Sequence, residues 1–229
     1  MTSSTVFKVT RWSAVSGTLL VGMAMLLYPG GTFRNPSTHG YSFFQNSLSD
    51  LGTTVAWGGQ RNSLGALCLA FGCGIVALAG VGCLVALVRV YSSSGMTRWF
   101  AGAAGTIGVL SCVGFIGAAL APEDLFPTLH SQFSALAVQA CPVASLLFAL
   151  VTARDDRFPR RVAAGWLALA LVLVAWASVM YWGRPPTTDE WLTIPVTLQK
   201  IATVALLVVF WFQSYEAERV LANVEGDAV

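Results

Sequence analysis

LGALCLAFGCGIVALAGVGCLVALV, from Leu64 to Val88, is a run of 25 residues without one charged side chain. As a helix rising about 1.5 Å per residue it would measure about 37 Å, more than the roughly 30 Å hydrocarbon core of a bilayer. It is apolar on every face, so it has no side to offer to water. The run reads as a tilted transmembrane helix.

Working outward, comparable apolar runs occupy Ser13–Tyr28, Trp99–Ala121, Leu129–Ala153, Val162–Trp182 and Trp191–Phe212. The chain is therefore expected to be all-α: a polytopic integral membrane protein with six transmembrane helices in one bundle, residues 1–229 forming a single membrane domain. The helices are expected near 12–28, 62–89, 98–121, 129–153, 161–183 and 191–213. An outer loop, 29–60, would carry a short helical or re-entrant segment. Charged residues make up only 10% of the chain, against about 25% in soluble domains. A mean hydropathy of +0.68 agrees. The net charge of +2, with no basic run beside the aromatics, excludes a nucleic-acid partner.

The first run follows Lys8 and Arg11, as a signal peptide would. It passes into Tyr28-Pro29-Gly30-Gly31 with no small-x-small cleavage site, so it reads as an uncleaved helix. Pro142 interrupts the fourth run and is expected to kink it. The tail from Ser214 starts as helix and is expected to fray.

Nine basic residues fall on one side: Lys8, Arg11, Arg89, Arg98, Arg154, Arg157, Arg160, Arg161 and Arg219. Four fall on the other: Arg34, Arg61, Arg184 and Lys200. The positive-inside rule then puts both termini in the cytoplasm of a cell-membrane protein. Trp57, Trp182 and Trp191 would form an outer aromatic belt, and Trp12, Trp99 and Trp166 an inner one. The glycines of the second and third helices, among them Gly102, Gly105 and Gly108, point to close packing between those two helices.

The five cysteines, Cys68, Cys73, Cys83, Cys112 and Cys141, all lie in apolar runs without a C-x-x-C pair and read as buried thiols. One histidine with acids makes a poor zinc site, so no metal or cofactor is assigned.

The polar residues with chemical potential gather on the outer side. Asn46, Ser47, Ser49 and Asp50 fall within five positions, and on a short helix Asn46, Ser47 and Asp50 would share a face. Glu123, Asp124 and His130 flank the turn into the fourth helix, with Ser134 and Gln139 further along it. Gln199 and Lys200 lie in the outer part of the sixth, where Lys200 would aim at Asp50 or Glu123. Ions at such depth need partners, so these groups should meet in one pocket. Three readings remain open. The cluster is a structural polar plug that locks the loop. Or Asn46, Asp50, Glu123, His130, Gln199 and Lys200 bind a lipid headgroup or small solute, with membrane lipids as partners. Or Ser47 or Ser49, with His130 as base and Asp50 or Glu123 orienting it, hydrolyses or transfers a lipid ester or amide; no Gly-x-Ser-x-Gly motif accompanies that reading.

Ser47-Leu-Ser49-Asp50-Leu51-Gly52 after the first helix, the outer turn with Pro127 and His130, and Gln199-Lys200 early in the sixth helix resemble the bacterial family called domain of unknown function 998. More distantly, the chain resembles DRAM-like multispanning proteins. The resemblance implies six membrane helices and a site on the outer side. It implies arginine where this chain has Lys200, and no established reaction.

Overall fold

The computed structural model describes residues 2–91, 95–183 and 187–226, with side chains to Asn223. Six helices are long and apolar enough to cross a membrane: α1 (Ser3–Leu27), α2 (Ser63–Tyr91), α3 (Gly95–Leu120), α4 (Pro127–Thr152), α5 (Arg160–Trp182) and α6 (Asp189–Gly226). Arg184 and part of the turn before α6 lie outside the described residues. Each helix packs on its neighbour in sequence, and α6 packs back on α1, so the six form a closed ring.

Contacts at the helix ends fix the direction of travel. Glu218, near the end of α6, accepts from Ser4 and Arg11 near the start of α1, and Glu216 pairs with Arg161 at the start of α5. Arg157 donates to the Val90 carbonyl at the end of α2. The start of α1, the end of α6, the 153–159 loop, the end of α2 and the start of α3 thus share one face, called here the terminal face. The 28–62 loop and the α3–α4 turn occupy the opposite loop face.

Two helices are longer than hydropathy suggested. α1 begins at Ser3, where the Thr2 hydroxyl caps it by accepting from the Thr5 amide, and its first turns are held by Lys8 and Arg11 facing Glu218. α6 continues through the tail to Gly226, beyond the expected helical start of that tail, and Gln213, Ser214, Ala217 and Val220 are buried against the bundle. Its 38 residues would span about 57 Å, so it projects well beyond a bilayer core. α4 continues through Pro142.

Glycine packing is wider than an α2–α3 pairing. Gly105 and Gly108 do face α2: a Cβ on them would lie 2.4 Å from Val88 Cγ2 and 2.9 Å from Leu84 Cδ1. Gly114 faces α4 instead, where a Cβ would lie 2.6 Å from the Ala137 backbone nitrogen. Gly17 and Gly72 bring α1 and α2 together, each near the other's carbonyl oxygen. A Cβ on Gly102 would meet nothing within 4 Å among the described residues, so Gly102 is not needed for a close helix approach.

The main core lies toward the terminal face. Phe148 stacks on Trp166 at 5.0 Å between ring centres, and Trp166 meets Phe210 edge-on at 5.6 Å. Trp166 is only 1% exposed, so it is a core residue and not part of an interfacial belt. Trp12, Trp99 and Trp182 are exposed, as belt residues should be.

Candidate functional site

The loop 28–62 is built as a platform. Gly31, at φ +85°, passes so close to the neighbouring strand of loop that a Cβ would lie 2.1 Å from the Gly58 nitrogen. Only glycine tolerates both the conformation and the approach. Gly31 N–H donates to Thr38 O at 2.8 Å and Gly58 N–H to Gly30 O at 3.1 Å. Beneath the loop, Leu51 is fully buried among Ala24, Tyr28, Ala56 and Leu69. Asn62 Nδ2 donates to the Leu51 and Thr53 carbonyls, each at 3.0 Å, which pins the loop to the start of α2.

The 3₁₀ turn Ser49–Gly52 presents Asp50, 7% exposed, to a set of donors. Its Oδ2 accepts from Asn46 Nδ2 at 2.9 Å and from the Ser47 amide at 3.0 Å. Its Oδ1 accepts from Ser47 Oγ at 2.8 Å. Ser47 Oγ lies 2.8 Å from Ser49 Oγ. Asn46 also donates to Gly31 O at 2.9 Å and accepts from the Ser42 amide at 2.9 Å. A buried carboxylate is tolerable when donors surround it in this way.

From α6, Gln199 Oε1 accepts the Leu48 amide at 2.8 Å. Lys200 Nζ donates to the Asn46 carbonyl at 2.6 Å and lies 5.4 Å and 5.1 Å from the ring centres of Tyr41 and Phe43. Lys200 therefore holds the backbone of the loop, not the Asp50 or Glu123 carboxylate. The Asp50 oxygens already have closer donors from their own segment. Tyr41 Oη donates to the Asn46 and Ser47 carbonyls at 3.0 and 3.2 Å. Burial, then the nearby Asp50 charge, pushes its phenol well above the ordinary tyrosine range.

Glu123 and His130 form a second group, on the α3–α4 side. His130 Nδ1 lies 3.0 and 2.9 Å from the Ala118 and Ala121 carbonyls. Carbonyls only accept, so this nitrogen carries the proton, and the ring closes the end of α3. Nε2 faces Glu123 Oε2 at 4.0 Å. Among the described residues no hydrogen bond or ion pair joins His130 to Ser47, Ser49 or Asp50, so a serine–histidine–carboxylate relay is not assembled. Asp124 turns away to the loop, accepting from the Thr54 amide and hydroxyl and the Val55 amide. Burial opposes its charge, but those donors outweigh it and hold the carboxyl below its usual range. Gln139 donates to Tyr181 Oη at 3.1 Å on the exposed surface and joins neither group.

One cavity of about 650 Å³ lies inside the ring, reached by Ser49, Gln199 and Lys200 of the first group, but not Asn46, Ser47 or Asp50, and by Glu123 and His130 of the second. Ser49, Glu123, His130, Gln199 and Lys200 line its loop-face end. The wall then becomes mostly apolar and is drawn from all six helices, and at the far end Phe148, Trp166 and Phe210 form an aromatic floor. Met180 of α5 and Val204 of α6 line the cavity and are also 56% and 58% exposed, so they belong to its wall and to the outer surface alike. Spacing within 46–50 pointed to the Asp50 cluster. Tyr41, Asn62 and the aromatic floor carried no such signal, because their partners are backbone groups or distant helices. All five cysteines are free, and among the described residues no three His, Cys, Asp or Glu side chains are grouped as metal ligands. Comparison with known proteins gave no matching family model, no similar curated protein and no similar solved structure.

Proposed function

We propose that this protein holds a membrane amphiphile, with its polar group at the loop-face mouth and its apolar part in the central cavity. The carrying observation is the 650 Å³ space lined by all six helices, polar at one end and mostly apolar below. Ligand sites of about 300–1,000 Å³ combine an apolar wall with a few placed polar groups. Gln199, Lys200, Glu123 and His130 would face the head. Asn46, Ser47 and Asp50 have a different role: their hydrogen bonds close on one another, which favours the plug reading for that cluster alone.

The test is native mass spectrometry of the full chain extracted from membranes. One retained amphiphile per chain is expected, and Thr203→Trp, which fills the cavity wall, should remove it while leaving the melting temperature near wild type. A wild-type protein without adduct would contradict the proposal.

The same proposal includes a cell-membrane location with both termini cytoplasmic. It is supported by the nine basic residues of the terminal face and the positive-inside rule. Membership of the domain of unknown function 998 family also remains a proposal, carried by Ser47–Gly52 and the residues that accompany it.

A further inference from the structure

We infer that the amphiphile has a single tail and an anionic head, and that Lys200 reads its charge. This rests on the amphiphile reading above and names its class.

Charge comes first. Lys200 is 5% exposed and lines the cavity. Its ammonium has three donors. One is used on Asn46 O at 2.6 Å, and a long contact of 3.5 Å reaches Val196 O in its own helix. Among the described residues no carboxylate lies within ion-pair distance of it. Asp50, in the same network, is the acid whose charge reaches Lys200, but its oxygens are engaged by Asn46 and Ser47, and the Tyr41 and Phe43 rings face the ammonium instead. A buried cation in a membrane segment is costly without a direct ionic partner. Two of the three N–H bonds of Lys200 thus have no close oxygen acceptor among the described residues, which suits a carboxylate or a phosphate. Glu123, the acid at the mouth, is exposed and faces His130, so it sits on the far rim from Lys200's helix.

Size comes second. From Lys200 to Phe210 along α6 is about 15 Å at 1.5 Å per residue, half of the roughly 30 Å hydrocarbon core and therefore the depth of one leaflet's chain. Taking about 30 Å³ for a water-sized unit, the cavity holds about twenty methylene-sized groups. That matches one long acyl chain and part of a head.

The experiment uses the full chain in detergent with labelled palmitate as probe. The competitors are unlabelled palmitate, palmitoyl-lysophosphatidylglycerol, monopalmitoylglycerol and dipalmitoylphosphatidylglycerol. The two anionic single-chain competitors should win over the neutral one by about tenfold or more, the difference a hydrogen bond to a charged group makes. Palmitate ahead of the lysolipid identifies a carboxylate as the preferred head, and the reverse order a phosphate; either agrees with the inference. Lys200→Gln should abolish that preference and Lys200→Arg should keep it. If Lys200→Gln does not fold, the wild-type ranking decides alone. Equal binding of monopalmitoylglycerol would overturn the anionic head while leaving the amphiphile reading standing. Equal competition by the diacyl lipid would overturn the single tail. No palmitate binding, together with no adduct in the native spectrum, would overturn both.

Discussion

Asp50 shows how a single carboxylate organises a loop. Three donors converge on it, and leaving buried donors unpaired costs about 1–3 kcal/mol each. Asp50→Ala should therefore lower the melting temperature substantially, and Asp50→Asn should lower it less, because one oxygen remains. An unchanged melt for Asp50→Ala would refute the structural role assigned here. Asp124 gives a pH prediction. Its folded carboxyl titrates below its usual range, so its contribution is present above the unfolded value of about 3.9 and is lost as pH falls through the lower folded value. Thermal melts of wild type and Asp124→Asn should differ at neutral pH and converge in strong acid; a gap that persists there would contradict the assignment. The clustering of Asn46, Ser47 and Asp50 was legible because side chains three and four apart face one another. The partners of Lys200 and His130 were not, because both hold backbone carbonyls, which leave no trace in residue type.

At the scale of elements, hydropathy located every span but misjudged where α1 starts and where α6 stops. It registers compatibility with lipid, whereas the ends of these helices are held by Arg11–Glu218 and Arg161–Glu216. The glycine pattern showed that helices approach closely, but not which ones, since one helix carries faces toward two neighbours. Gly114→Ala places a methyl 2.6 Å from the Ala137 nitrogen; a backbone atom cannot swing aside. Overpacking of this kind costs about 1–3 kcal/mol, so the variant should melt well below wild type. Gly102→Ala enters open space and should be neutral or slightly stabilising. Equal melts for the two variants would contradict the assigned α3–α4 interface.

At the scale of the whole molecule, the ring closes through α6 on α1 and leaves its centre unfilled by side chains. The polar residues announced a pocket at the loop face, but no residue pattern announced its apolar depth. Apolar helices can fill a bundle core or surround a cavity with the same composition, and the choice depends on which small residues face inward. The start of α1 and the end of α6 share a face, so reporters fused at either terminus should read the same compartment. Opposite readings would contradict the up-and-down path.

The central claim is that this inner space is an amphiphile's seat. It is tested most directly by an experimental structure of the protein in nanodiscs of native lipid. The account predicts one elongated density running from Lys200 down to the floor of Phe148, Trp166 and Phe210. A cavity closed by side-chain repacking, or filled only by discrete water peaks, would contradict it.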